Sequence, residues 1–100
     1  MKVREKTSNQ IFTVYGIYWC GGKTFFYCFP RNTFGLSSYG EDEVDVLDSA
    51  IETDFVYLRT NEQTFGVFNR HLLEGQLLDL LLEHDPEAYK QFSCVIGKEP

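Results

Sequence analysis

Gly21-Gly22 stands between two runs dense in β-formers, residues 10–19 and 24–29. Adjacent glycines at the centre of a tight turn accept the positive φ that a two-residue primed hairpin demands. Such a turn fixes the register: Cys20 faces Lys23, Trp19 faces Thr24, Ile17 faces Phe26 and Tyr15 faces Cys28. One face then carries Tyr15, Ile17, Trp19, Phe26 and Cys28, and the other Phe12, Val14, Tyr18, Phe25, Tyr27 and Phe29. Both faces are apolar, so the hairpin is expected to be covered on both sides or to present one side as an interface. Gly16 falls opposite Tyr27, whose ring can cover it.

Pro30 ends the second run, and residues 31–40, with Asn, Gly and Ser-Ser, read as a loop. Residues 44–48 read as a short strand, and residues 54–60 and 64–69 as a second hairpin around an Asn61-Glu62-Gln63 turn. The period then changes. Leu72, Leu73, Leu77, Leu80, Leu81 and His84 recur at helical spacing, and Gly75 delays the helix to Glu74 or Gln76. Asp85-Pro86 reads as an N-cap with Pro at the first helical position, opening a short helix over residues 87–92. Residues 93–97 suit a final edge strand. Strands first and helices last imply an α+β fold: an antiparallel meander of two hairpins plus a short strand, with a C-terminal helical pair on one face. The 100 residues make one domain, with residues 1–9 flexible or peripheral.

Charge is uneven. Seven of the fifteen carboxylates lie at Glu41, Asp42, Glu43, Asp45, Asp48, Glu52 and Asp54, and no base occurs between Arg31 and Arg59. Residues 1–6 hold Lys2, Arg4, Lys6 and Glu5, which leaves six bases against fourteen acids, a net −8, in the rest. Acids held this close repel one another and raise the free energy of the compact state. A cationic partner would offset that repulsion, whereas nucleic acid and anionic membrane would be repelled.

The window is not a calcium loop. Counting from Asp42, the third residue is Val44 and the sixth is Leu47, where an EF-hand needs an oxygen ligand and a glycine. Nor is it a catalytic pair, which requires one carboxyl in an apolar pocket. Cys20, Cys28 and Cys94 are odd in number and lack CxxC spacing, so neither a disulfide framework nor a zinc site is expected. Cys28 and Cys94 read as small buried hydrophobes, and Cys20 as exposed at a turn. His71 and His84 form no metal or nucleophile motif; His84 sits where a helix C-terminus would interact with it. The GGKT of residues 21–24 lacks the earlier glycine of a phosphate-binding loop and is flanked by strands. No cofactor or metal is expected. The polar N-terminus lacks an apolar signal segment, and Leu77 to Leu82 is too short to span a bilayer, so the expected location is cytoplasmic.

These features point to a non-catalytic protein that binds a basic partner. Its contacts would be Glu41, Asp42, Glu43, Asp45, Asp48, Glu52 and Asp54, with Phe34, Tyr39 and Tyr57 as aromatic anchors. In size, charge and absence of catalytic motifs the chain resembles the small acidic immunity proteins that accompany bacterial toxins, including those of contact-dependent growth inhibition. That resemblance implies a tight complex with a cognate toxin, such as a nuclease with a basic cleft. Two further classes fit the same features: a nucleic-acid mimic that occupies a DNA-binding protein, and a homodimeric adaptor that pairs through Tyr18, Phe25 and Tyr27.

Overall fold

The computed structural model describes residues 1–31, 33–59 and 64–100. Among the described residues, seven strands form an antiparallel sheet and the helices follow, an α+β arrangement. The strands are β1 (Lys2–Glu5), β2 (Ile11–Cys20), β3 (Lys23–Cys28), β4 (Ser37–Gly40), β5 (Val44–Asp48), β6 (Phe55–Arg59) and β7 (Thr64–Asn69). A 3₁₀ helix (Arg70–Leu73), α1 (Leu77–Leu82) and α2 (Pro86–Ile96) complete the chain. The hairpins β2–β3 and β6–β7 and the short β5 match the expected meander, and β1 and β4 add to it. The expected turn at residues 61–63 lies outside the described residues.

β2 organises the sheet. One side pairs with β3. The other side pairs first with β1, where Phe12 lies opposite Val3, and then with β7, where Ile17 lies opposite Val67. The path β4-β3-β2-β1-β5 has β4 and β5 at its two ends, yet only Glu41, Asp42 and Glu43 separate them in sequence. The path therefore curls back toward itself. Inside the curl, Phe12 stacks on Tyr39 with ring centroids 5.4 Å apart.

The N-terminal segment is not peripheral. Val3 is 0% exposed, and β1 lies between β2 and β5. A single buried valine among charged neighbours hides this role in the sequence, because Lys2 and Arg4 point away from the core.

The expected hairpin register holds from Cys20–Lys23 back to Gly16–Tyr27 and then slips. Val14, not Tyr15, lies opposite Cys28, and Tyr15 is the extra residue of a β-bulge. The slip exchanges faces. Phe12 and Val14 join Ile17, Phe26 and Cys28 inside the curl. Tyr15 turns to the opposite face, where it meets Phe29 and Phe92 edge-on at 5.5 and 5.4 Å. The bulge thus lets one strand serve two cores, the second being Tyr15, Phe29, Leu36, Leu72, Leu77, Leu81, Ala88 and Phe92.

The helices dock on that second face. Gly75, at φ 56°, breaks the leucine stripe, so the 3₁₀ helix ends before it and α1 begins at Leu77. Asp85 Oδ1 accepts from the N–H groups of Glu87 and Ala88 at 2.9 and 3.3 Å, which caps α2 as its sequence implied. The expected strand at residues 93–97 is instead the end of α2. Ala88, Phe92 and Ile96 share one stripe four residues apart, and burial of that stripe outweighs the local alternation. Residues 31–40, expected as loop throughout, end in β4.

Candidate protein-binding surface

The acidic window fills the β4–β5 turn, β5 and the connection into β6, and every residue from Glu41 to Asp54 except Val44 is exposed. Its start is fixed by the backbone. The Glu41 N–H donates to the Thr24 carbonyl at 2.9 Å, and the Lys6 N–H donates to the Glu43 carbonyl at 3.0 Å. Within the turn, Glu43 Oε1 accepts from the Gly40 N–H at 2.9 Å. Asp42 folds over Gly40 so closely that a Cβ there would lie 2.9 Å from its Oδ1. A side chain at this position would push the exposed Asp42 carboxylate aside.

The window is not as uncompensated as the sequence implied. Arg4 Nη2 lies 3.4 Å from Asp45 Oδ2, Lys2 is the cross-strand partner of Asp48, and Arg70 Nε lies 3.9 Å from Asp54 Oδ1. Lys23 shares a recess of about 300 Å³ with Glu41 and Asp42. The fold brings in cations from β1, the start of β3 and the 3₁₀ helix, none of them close in sequence. Exposed pairs of this kind contribute roughly 0–1 kcal/mol each, so they relieve the repulsion without fixing the surface.

The same edge exposes apolar side chains that the sequence reading missed. Val46 and Leu47 on β5 are each 47% exposed, and Ile51 beyond it is 51% exposed. Their signal in the sequence is three aliphatics spaced among carboxylates, but a short strand of that composition reads equally well as half-buried. Tyr57, on β6 just past the window, is 62% exposed.

The two other expected anchors are not on this surface. Tyr39 is buried against Phe12, and burial pushes its phenol up to about 12. Its apparent loop position proves to be β4, whose alternation turns it inward. Phe34 is exposed but sits edge-on to Tyr89 of α2, 5.4 Å away, on the helical side of the sheet. The strip proposed for an adaptor, Tyr18, Phe25 and Tyr27, is half-buried and self-stacked, with Tyr18 centroids 5.0 Å from Phe25 and 4.9 Å from Tyr27.

The window ends at a polar recess of about 180 Å³ lined by Glu52, Asp54, Tyr15, Asn69, His71 and Lys98. Burial, aided by the nearby Glu52 carboxylate, pushes the Tyr15 phenol up to about 12. His71 Nδ1 lies 2.9 Å from Glu74 Oε1. At the other histidine, the His84 ring packs over Gly35, beside the end of α1. Cys28 is buried, which pushes its thiol up to about 12 and makes it a poor nucleophile. Cys94, expected to be buried, is exposed on α2, as Cys20 is at its turn. Among the described residues, no three His, Cys, Asp or Glu side chains gather as metal ligands, and no helix is long and apolar enough to cross a membrane. Comparison of the chain with protein-family models, with curated proteins and with solved structures gives no match.

Proposed function

We propose that this chain is a non-catalytic binding protein whose acidic edge docks on a basic protein. One observation carries the reading: exposed carboxylates and exposed apolar side chains are interspersed along one stretch of chain, from Glu41 through Leu47 on β5 and Ile51 in the connection to Tyr57 on β6. Carboxylates alone would read as a solvated face. Apolar groups among them supply area that is desolvated only when a partner covers it.

The mechanism has two parts. The field of Glu41, Asp42, Glu43, Asp45, Asp48, Glu52 and Asp54 speeds the encounter with a positive surface, by up to about 10²–10³-fold over a neutral pair at low salt. Leu47, Ile51 and Tyr57 then slow dissociation by packing into the partner. Arg4 and Arg70, already beside Asp45 and Asp54, keep the free protein from strong self-repulsion. In biological terms the reading is an immunity protein that neutralises a basic bacterial toxin, such as a nuclease, in the cytoplasm.

The test separates the two parts. With an isolated partner, Glu41→Lys together with Asp42→Lys is expected to slow association about tenfold and to flatten its salt dependence. Leu47→Ala together with Ile51→Ala is expected to speed dissociation. If both pairs leave both rates unchanged, the edge is not the interface.

A further inference from the structure

The recess at the end of the acidic window is built on two side chains that the fold buries and leaves unpaired. Tyr15 and Asn69 are each 5% exposed, and both line it. The β-bulge turns Tyr15 to this side of β2. Asn69 Oδ1 accepts from the His71 N–H at 3.0 Å, which fixes the amide and leaves Nδ2 as the free donor. Among the described residues, neither Nδ2 nor the Tyr15 hydroxyl has a hydrogen-bond partner. No fully sealed side-chain polar atom lacks a partner, so these two atoms are open, and the opening their residues share is the recess. Polar groups this deeply buried are normally paired, so the two call for an occupant.

Two charged side chains at the recess are unpaired as well. Glu52, in the connection from β5 to β6, and Lys98, just past α2, both line it. They form no ion pair with each other or with any other described residue. The other ionisable groups there are engaged, Asp54 with Arg70 and His71 with Glu74. The recess therefore offers one free carboxylate, two free donors in Lys98 and Asn69 Nδ2, and a hydroxyl that can donate or accept. Its volume of about 180 Å³ holds about six water molecules. Pockets for drug-sized ligands begin at roughly 300 Å³, so the occupant is smaller than these.

We propose that this recess binds a free α-amino acid with a small side chain. The α-ammonium donates to Glu52, and the α-carboxylate accepts from Lys98 and Asn69 Nδ2. The Tyr15 hydroxyl donates to the carboxylate or accepts from the ammonium, and Val14 and Ile96 offer apolar surface to the side chain. Charge selects this class. A cation alone would meet Lys98 and leave the Asn69 donor unused, and an anion alone would meet Glu52. A ligand that carries both charges on one carbon uses all four free groups. The site needs none of the other six carboxylates of the docking edge, so the two readings stand or fall separately.

The test needs no protein partner. Isotope-labelled full chain is titrated with L-alanine and followed by NMR. The expected result is a saturable shift of the Asn69 side-chain amide and of the Glu52 and Lys98 N–H groups, with Kd of roughly 0.1–1 mM. Propionate and ethylamine each keep one of alanine's two charges and are expected to bind at least about tenfold more weakly, the usual loss for one charged hydrogen bond. Glu52→Gln and Lys98→Met, both at exposed positions, are each expected to weaken L-alanine binding by the same factor. Tyr15→Phe keeps the ring that packs on Phe29 and Phe92, so Tm should hold while affinity for L-alanine falls at least about threefold. A recess that holds only water gives no saturable shift up to about 10 mM L-alanine. That result, propionate or ethylamine binding as tightly as L-alanine, or L-alanine binding indifferent to Glu52→Gln and Lys98→Met, overturns the proposal.

Discussion

Replacing Val3 by Ala tests whether the N-terminal segment belongs to the core. Val3 is 0% exposed and packs with Phe12, Val14, Ile17 and Val44. The substitution removes two carbon groups' worth of buried surface, about 1.6 kcal/mol at roughly 0.8 kcal/mol per group. The cavity left behind adds to this, because β1 is held between β2 and β5 and cannot simply collapse inward. The expected loss is therefore about 2–3 kcal/mol. For a domain of this size that lowers Tm by roughly 8–20 °C. Urea unfolding followed by circular dichroism reads the free energy directly, and the slope of the transition should stay constant. A loss within about 0.5 kcal/mol, the usual range for a surface site, would mean that residues 1–5 are peripheral after all and would refute the packing argument.

Thiol accessibility gives a second check: at mild alkaline pH a thiol reagent should titrate Cys20 and Cys94 quickly and Cys28 only after unfolding. Fast reaction of all three thiols would contradict the burial of β3. Stability should also fall in the alkaline range. Tyr15 and Cys28 hold their protons to about 12 when folded, against ordinary values of 10.0 and 9.0. Between those limits the unfolded chain binds fewer protons than the folded one, so stability is full below about pH 9 and decreases from there toward pH 12. A flat unfolding free energy across that range would rule out their burial.

The parts of this fold legible in the sequence were those set by local chemistry. Gly21-Gly22 defined one hairpin, Asp85-Pro86 defined the start of α2, and the leucine stripe announced the helical end. What escaped depended on distant partners. The bulge at Tyr15 was invisible because both faces of β2 are apolar, so a one-residue slip leaves no polar residue on the wrong side. β1 escaped because one buried valine carries no pattern. The candidate surface was half legible. The carboxylates were plain, but Arg4, Lys23 and Arg70 reach them only through the fold, and Tyr39 was lost to the core when residues 37–40 proved to be a strand. Leu47 and Ile51 carry no such signal, because a sequence gives no sign of which aliphatics stay outside.

The central claim is that the edge from Glu41 to Tyr57 recognises a basic protein. Its most direct test is the association rate of a purified cognate partner, measured from low to physiological salt for the wild type and for Glu41→Lys together with Asp42→Lys. The account predicts fast wild-type association that slows steeply as salt rises, and a slower rate with a weaker salt dependence for the variant. Equal rates and equal salt dependence for the two proteins would contradict it.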